Sequence, residues 1–373
     1  MIDGGMLRRI ESRLPERIGG LDLQDVRVPV GLLLIVLLLR PIVSSSLLAG
    51  YEQIASTILI WMLFAASFNL LLGYTGLLSF GHALFLGLGA YVAAAGHTRF
   101  GLPWIVVAAI GVLVSTGVAY LIGRLIVQKG AIYFAMLTLG FAQAAQYVAN
   151  QNPFDLTGGS AGISGATPAW FVLDRGEKFV AVGGLQLDWY WVLGIATVLG
   201  MLAIWQVVRS PFGRTLIAIR ENDALARSMG VNVDRYKVWS FTFAGLFAGL
   251  AGVLLQLNIQ GTRLELLSLA VSGDVILMTI LGGSVYFFGP PAGAFVWLLA
   301  EELLTDFETL HLPLTEFSVV SVDLSGVLTY WQFFLGVLFV VVVLLSPMAG
   351  IWGLVRRAGN RIYGVIGGLI YRV

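Results

Sequence analysis

Apolar stretches of about twenty residues recur along almost the whole chain, and they limit its possible folds more than any other feature. A helix needs about 20 apolar residues to cross a bilayer. Only 12% of the residues are charged and 58% are hydrophobic, whereas soluble domains carry about 25% charged residues. The sequence therefore predicts an all-α polytopic membrane protein with about ten transmembrane helices. The predicted spans are 29–48, 53–72, 77–97, 103–126, 131–150, 189–208, 238–258, 270–285, 290–305 and 331–347.

Positive charges accumulate in particular loops, and their pattern predicts how the chain is oriented. Residues 209–237 contain six Lys or Arg residues, whereas residues 306–330 contain four acidic residues and no Lys or Arg. Because Lys and Arg favour cytoplasmic loops, ten spans put both termini and residues 209–237 in the cytoplasm. We divide the chain into a cytoplasmic N-terminal segment at 1–28, a transmembrane domain at 29–350 and a cytoplasmic or interfacial tail at 351–373.

Residues that carry chemistry are few, which argues against an enzyme. The chain contains no cysteine, and its three histidines do not have the spacing of metal ligands. It has no G-x-x-x-x-G-K-S/T phosphate loop, no paired carboxylates and no set of nucleophile and base. A net charge of +1 gives no indication of a nucleic-acid partner. We therefore predict no catalytic residue and no metal site.

The segment 209–230 reads RSPFGRTLIAIRENDALARSMG and predicts two short helices rather than a flexible linker. A Ser–Pro pair is typical of a helix start, and a glycine is typical of a helix end. These features are the start at Ser210–Pro211, an apolar face of Phe212, Leu216 and Ile219, a second helix at Ala224–Met229 capped by Asn222 or Asp223, and the end at Gly230. The residues alone leave two alternatives, a surface for a protein partner or an amphipathic pair lying on anionic headgroups.

The same segment carries the pattern G-R-x-L-x-A-I-R-E-N-D/E-x-x-A-x-x-x-G, which begins at Gly213 and ends at Gly230. It resembles the ATPase-coupling loop of branched-chain amino acid ABC transporter permeases, the longer of the two permease types in that system. Further motifs follow the order of that family and extend through most of residues 55–350. They are GYTGLLSFGH at 73–82, YFAMLTLGFAQ at 133–143, TGGSAG at 157–162, LGG at 281–283 and GPPAGA at 289–294.

The resemblance implies a permease subunit of an ATP-driven ABC importer that passes branched-chain or related amino acids across the cytoplasmic (inner) membrane. The expected partners are a homologous permease subunit in a heterodimer, two cytoplasmic ATPase subunits, an extracytoplasmic solute-binding protein and membrane lipid, with no nucleic acid. ATP and Mg²⁺ would bind to the ATPase subunits, so no cofactor is expected in this chain. Residues 209–237 would be the coupling loop, with coupling residues Gly213, Arg214, Ala218, Arg220, Glu221, Asn222, Asp223, Ala226 and Gly230.

Other kinds of transport protein are alternatives to this importer. An ion-coupled secondary transporter usually has Asp, Glu or His at mid-membrane. Here the acids near spans lie toward span ends, at Glu52, Asp274, Glu301 and Glu302, and only His82 lies clearly within a span. A passive channel, for example for urea, needs no coupling loop. A permease for urea or short amides in a related ABC importer stays open as an alternative, and so does a pair of identical permease subunits.

Glycine-rich segments are candidates for breaks in the membrane helices. Glycine costs about 1 kcal/mol relative to alanine inside a helix, and half-helix ends offer N–H and C=O groups that suit a zwitterionic substrate. Tight packing of neighbouring helices is the alternative for 73–89. In 73–89 and 281–291 the candidate translocation-path residues are Gly76, Ser79, Gly81, His82, Gly282 and Gly283.

Two local expectations complete this picture. Ser79 and His82, three residues apart, are expected to share a helical face, and His82 to brace the irregular backbone by donating to a free carbonyl in preference to serving as a gate or proton site. The segment 157–165 is expected to be an external loop. Its candidate residues, for an entrance, a contact with the binding protein or a plain surface turn, are Thr157, Gly158, Gly159 and Ser160.

Overall fold

Helices make up most of the protein, whose computed structural model describes residues 17–18, 21–43, 52–165, 180–182, 185–187, 189–306, 309–315, 318–323, 331–347 and 349–357. Ten helices each overlap a predicted span, so the all-α polytopic fold is confirmed. The helices are α1 Leu23–Val43, α2 Glu52–Asn69, α3 Ala83–Phe100, α4 Trp104–Ile126, α5 Ala131–Asn150, α6 Trp189–Arg209, α7 Pro211–Glu221, α8 Asp223–Ser228, α9 Val233–Ile259, α10 Leu269–Gly282, α11 Gly289–Asp306, α12 Trp331–Leu345 and α13 Gly350–Arg357.

Several of these helices have the length and surface that a bilayer requires. The 23-residue α4 is the clearest case, because it exposes Ile105, Leu113 and Leu121, as expected of a helix that contacts lipid. By contrast α10 has 14 residues, which corresponds to about 21 Å and is shorter than a hydrocarbon core of about 30 Å. The exact number of crossings therefore stays a prediction. Within the described ranges, five segments meet a strict test of length and composition: Ile54–Thr75, Trp104–Ile126, Ala131–Asn150, Tyr190–Arg209 and Val233–Ile259.

Strands in the described residues are short and pair only in twos, always antiparallel. One pair is structurally informative, because β3 Ile163–Ser164 after α5 pairs with β6 Gly261–Thr262 after α9. The C-terminal ends of α5 and α9 therefore meet at one end of the molecule. Helices α7 and α8 lie at the opposite end, next to the start of α9, and we call that end the short-helix end. The remaining pairs are β1 Arg17–Ile18 with β2 Leu21–Asp22, β4 Val180–Val182 with β5 Leu185–Leu187, and β7 Thr309–Thr315 with β8 Ser318–Asp323.

Helix α9 lies at the centre of the core and packs against α2, α3 and α4. Glycines allow backbones to touch here: a Cβ on Gly252 would lie well inside 3.0 Å of the Leu86 carbonyl oxygen, and one on Gly89 would overlap the Gly249 carbonyl. The buried Ser115 hydroxyl of α4 lies 3.1 Å from the carbonyl oxygen of Phe85 in α3 and 2.9 Å from that of Gly245 in α9. Small residues thus fix three helices at close range, as is common in membrane proteins.

The structure shortens one predicted helical span. Within the span at 77–97, α3 begins only at Ala83, because the residues before it form a break that is described below. Residues 1–16 and 19–20 of the predicted N-terminal segment, and residues 358–373 of the predicted tail, lie outside the described residues.

Candidate functional site

The two short helices α7 and α8 form as the sequence predicts. Ser210 caps α7, because its hydroxyl accepts a hydrogen bond from the Gly213 amide at 3.4 Å, and Asn222 caps α8 by accepting from the Leu225 amide at 2.9 Å. On the predicted apolar face, Leu216 and Ile219 are buried. The helix α8 begins at Asp223 and ends at Ser228, one residue earlier at each end than expected. The segment is therefore a folded element rather than a linker.

A network of charges ties α8 to the start of α9. The Asp223 carboxylate accepts hydrogen bonds from Arg227 Nε at 3.0 Å and from Lys237 Nζ at 2.7 Å. Arg227 also donates to Asp234 at 2.5 Å. Burial acts to raise the pKa of Asp223, but the hydrogen bonds and positive charges of Lys237 and Arg227 outweigh it and lower that pKa. The coupling residue inferred for this position thus stabilises the fold of the loop itself.

The glycine-rich segment 73–82 contains a true helix break. Helix α2 continues into a π-helical turn at Leu70–Thr75, a wide turn that is rare and is often found at functional sites. Gly76 follows with φ of 75°, a left-handed conformation that disfavours residues with a Cβ. The Thr75 hydroxyl donates a hydrogen bond to the Leu70 carbonyl at 2.8 Å and lies 2.5 Å from the hydroxyl of Ser240 in α9. The wide turn is therefore anchored to the central helix.

Neighbouring helices supply partners for the backbone amides of the break. The Phe80 amide donates to Thr138 Oγ1 of α5 at 3.2 Å, and the Ala83 amide donates to Ser272 Oγ of α10 at 3.1 Å. Ser79 and Gly81 lie in this non-helical stretch, so the expected helical face shared by Ser79 and His82 does not exist. Irregular backbone within a membrane is tolerated where protein covers it, and that condition is met here.

His82 is fully buried at the end of the break, directly before α3. Its Nε2 lies 3.0 Å from the Ser67 hydroxyl, so the expected hydrogen bond to a free carbonyl is wrong. The imidazole stacks on Phe64, with ring centroids 5.1 Å apart, and packs edge-on against Phe68 and Phe85. Its Nδ1 makes no hydrogen bond to another described residue. The side chain braces α2 against α3 through a hydroxyl and an aromatic cluster.

Arg220, in the last turn of α7, contacts the helix break directly. Its Nη1 donates a hydrogen bond to the Gly73 carbonyl inside the π-helical turn. A Cβ on Gly76 would lie 2.9 Å from Arg220 Cγ, so the absence of a side chain at Gly76 leaves room for the arginine stem. The other guanidinium nitrogen Nη2 pairs with Glu221 at 2.5 Å on the surface. The short-helix pair and the break in α2 are therefore joined by one side chain.

A second break meets the first at the same point. Helix α10 ends at Gly282, Gly283 has φ of 104°, and α11 begins at Gly289. A Cβ on Gly73 would overlap the Ser284 carbonyl oxygen, which shows that the two breaks are in direct backbone contact. We call the group Arg220, Gly73, Gly76 and Ser284 the junction. The junction brings the predicted coupling segment and both predicted path segments together.

The loop after α5 folds around one asparagine at the opposite end of the molecule. Asn152 Oδ1 accepts hydrogen bonds from the amides of Thr157 at 2.9 Å and Gly158 at 2.8 Å. The Thr157 hydroxyl donates to the Ala149 carbonyl at 2.6 Å, and both Gly158 and Gly159 have positive φ. The loop, which includes Ser160, is therefore ordered. It lies far from the junction, beside the paired strands β3 and β6.

One polar side chain near the junction was missed by sequence reasoning. Asn69, the last residue of α2, is 2% exposed, and its Oδ1 accepts no hydrogen bond from another described residue. It lies directly beside Gly73, where a Cβ would overlap its amide. The signal that would have found it is a single amide within the apolar run FAASFNLLLGY, since buried polar groups without partners are uncommon.

Comparison with known proteins gives consistent matches. A family model described as branched-chain amino acid transport system, permease component, matches residues 50–343. The chain is 29% identical over 274 residues to the high-affinity branched-chain amino acid transport system permease protein LivM of Salmonella typhimurium and to LivM of Escherichia coli, covering 69% of this chain and 64% of each relative. The chain thus spans just under two thirds of the length of these relatives.

A more local match is to a permease with a different named substrate. The autoinducer 2 import system permease protein LsrC of Klebsiella pneumoniae is 32% identical over 111 residues, which is 28% of this chain and 31% of that protein. No solved structure matches the chain.

Proposed function

The chain belongs to the family of branched-chain amino acid transport system permease components, and we propose that it is the permease subunit of an ATP-driven importer for branched-chain or related amino acids. In this proposal it lies in the cytoplasmic (inner) membrane with both termini in the cytoplasm. It pairs with a homologous permease subunit, and the pair contacts two cytoplasmic ATPase subunits and an extracytoplasmic solute-binding protein. ATP and Mg²⁺ bind to the ATPase subunits, so this chain contributes no catalytic group.

The junction is the single observation that supports this proposal most strongly. A subunit driven by a separate ATPase needs a surface that receives movement and a rigid connection from that surface to the membrane segment that moves. Helices α7 and α8 are folded and charged and each has an exposed face, and Arg220 connects them to the π-helical turn through the Gly73 carbonyl. A displacement of α7 would therefore act directly on the break in α2 and, through Ser284, on the break after α10.

The two breaks are the proposed parts of the translocation path. A zwitterionic amino acid needs polar groups that accept hydrogen bonds from its ammonium and donate them to its carboxylate without binding either tightly. Asn69 is a buried amide whose oxygen has no partner among the described residues, and it lies beside Gly73. We assign to Gly282 and Gly283 the role of letting backbones approach at the second break, to Gly76 that of leaving room for the Arg220 side chain, and to His82 that of a brace.

An ion-coupled transporter is the less supported alternative. Coupling sites of that kind usually place an ionisable side chain at mid-membrane. Among the described residues, His82 is the one Asp, Glu, His, Lys or Arg that is fully buried. Its contacts with Ser67 and three phenylalanine rings suit a structural role. Asp274 lies near the middle of α10 and Glu301 in the second half of α11, and both are only partly buried.

Uptake measurements test the energy source and the substrate together. The chain would be expressed together with the ATPase, permease and binding-protein subunits proposed as its partners, in cells that lack their own branched-chain uptake. We expect uptake of labelled leucine that stops when cellular ATP is depleted and continues when a protonophore removes the proton gradient. Uptake that follows the proton gradient and persists without ATP would overturn the proposal. Parallel assays with urea, which tests the alternative of urea and short amides, and with autoinducer 2, the substrate named for LsrC, would identify a different substrate within the same mechanism.

A further inference from the structure

A basic cleft opens between the short-helix ends of α4 and α9, away from the junction. It has a volume of about 480 Å³, and its lining includes Arg124 and Gln128 from the end of α4 and Arg235 and Trp239 from the start of α9. We propose that this cleft binds the phosphate headgroup of an anionic phospholipid. The proposal concerns a binding site at the membrane interface, and it does not depend on what the protein transports.

The charges in the cleft favour an anion. Arg124 and Arg235 come from different helices, and neither makes an ion pair with another described residue. The one acid in the lining, Asp234, already accepts a hydrogen bond from Arg227 at 2.5 Å. The first turn of the 27-residue α9 also lines the cleft, and a helix N-terminus carries partial positive charge. Two uncompensated guanidinium groups therefore face this space with little competing negative charge.

The position of the cleft favours a lipid over a soluble anion. Arg124 lies in the last turn of α4, which exposes Leu121 and Leu125 to the surroundings within one turn of it. Tyr120 and Trp239 lie in the lining with ring centroids 5.8 Å apart. Aromatic rings and Arg or Lys side chains at the ends of membrane helices are typical of the headgroup region, and basic pockets between such helices suit phosphate headgroups.

An apolar groove adjoins the cleft at Trp239. It has a volume of about 540 Å³ and shares Trp239 with the cleft, and its further lining includes Phe212 and Phe243. The rings of Trp239 and Phe243 are 6.0 Å apart, and those of Phe212 and Phe243 are 5.6 Å apart. A charged cleft beside an aromatic groove matches a phospholipid, whose phosphate would contact the arginines while an acyl chain lies along the rings. A free phosphate ion would leave the groove unused.

Native mass spectrometry of the purified 373-residue chain in detergent tests the proposal. The probes are phosphatidylglycerol, the zwitterionic phosphatidylcholine, and inorganic phosphate as a competitor without acyl chains. The test variant is Arg124→Gln with Arg235→Gln. The matched control is Arg356→Gln with Arg357→Gln, which removes the same charge from the exposed end of α13. We expect the wild type and the control to retain phosphatidylglycerol in preference to phosphatidylcholine. The test variant should bind it roughly 30-fold more weakly, about five-fold for each charge lost.

Each other outcome would overturn the proposal. Equal retention of phosphatidylglycerol by the wild type and the test variant would mean that the cleft serves a protein partner or none. Displacement of the lipid by inorganic phosphate at equal concentration would identify a site for the free ion. If the double variant is not monodisperse, the single variants Arg124→Gln and Arg235→Gln are compared, and unchanged binding in both would contradict the assignment.

Discussion

Replacing Arg220 by glutamine tests whether the junction transmits movement from the short helices to the membrane segment. Arg220→Gln removes the guanidinium that donates to the Gly73 carbonyl, but it keeps Cβ and Cγ, the stem atoms that lie beside Gly76. It leaves the caps of α7 and α8 intact, because these involve Ser210 and Asn222. We therefore expect a complex that assembles and hydrolyses ATP but transports less substrate for each ATP consumed.

The expected size of the effect follows from the contacts of Arg220. A hydrogen bond from a charged group contributes about 1.5–3 kcal/mol. The Arg220 side chain is 32% exposed, and solvent weakens such interactions, while the surface pair with Glu221 contributes little. We expect a loss of about 1 kcal/mol of coupling between α7 and the break, which corresponds to roughly a five-fold change in a coupled equilibrium.

The assay is substrate uptake and ATP hydrolysis measured on the same proteoliposomes, with the ratio of the two as the result. Arg227→Gln is the matched control, because it removes an arginine from the same loop whose partners are Asp223 and Asp234 rather than the break. We expect the ratio to fall roughly five-fold in Arg220→Gln and to stay near the wild-type value in Arg227→Gln.

An unchanged ratio in Arg220→Gln, with normal assembly, would refute the reasoning, since the contact with Gly73 would then carry no movement. An equal fall in both variants would also contradict it. The effect would then come from the charge of the loop and its contact with the ATPase rather than from the junction.

Three further outcomes are expected from thermal unfolding in detergent. Gly252→Ala should lower the free energy of unfolding by about 1–3 kcal/mol, because the new Cβ meets a backbone carbonyl of α3. Gly140→Ala, with open space around its Cβ, should instead raise that free energy by up to about 1 kcal/mol. Equal effects of the two substitutions would contradict the close packing at Gly252. Ser67→Ala should lower the free energy of unfolding by about 1–3 kcal/mol, because the buried His82 loses its hydrogen-bond partner, and adding His82→Phe should recover most of this loss. A double variant that is no more stable than Ser67→Ala would contradict the role of His82 as a brace. The pKa of Asp223 is lowered in the folded state, so the ionised carboxylate should stabilise the fold fully above the usual carboxyl pKa of 3.8 and lose this effect as the pH falls below it. The wild type should therefore be more stable to unfolding than Asp223→Asn at neutral pH, and the two stabilities should converge in acid.

Much of the fold could be predicted from the sequence because a bilayer permits few solutions. Apolar runs of sufficient length must form helices, since no water is present to satisfy an open backbone. The caps of α7 and α8 were predictable for a different reason, because Ser210–Pro211 and Asn222 are local signals that need no knowledge of the remaining chain. The family resemblance carried by 213–230 and the ordered glycine motifs is confirmed by the family match.

The arrangement of the candidate site could not be predicted in the same way. The glycines at 73–89 were compatible with a break or with packing, and the structure contains both, since the chain breaks at Gly76 while Gly87 and Gly89 pack closely within α3. The partner of His82 is fifteen residues away on another helix, and the contact of Arg220 with Gly73 spans 147 positions. Such pairings depend on how helices cross, which no local pattern encodes. The roles of the coupling, path and loop residues stay predictions.

The wide turn at Leu70–Thr75 has a further geometric consequence. A π-helical turn contains about one residue more than an α-helical turn. This stretch therefore includes about one extra residue compared with a regular α-helix. Returning it to α geometry would rotate everything that follows by about 100° and shift it by about 1.5 Å. The Thr75 hydroxyl would then leave Ser240, and the Gly73 carbonyl would leave Arg220. A change of register within one turn would thus behave as a ratchet step, in which side chains exchange partners while the helix itself stays intact.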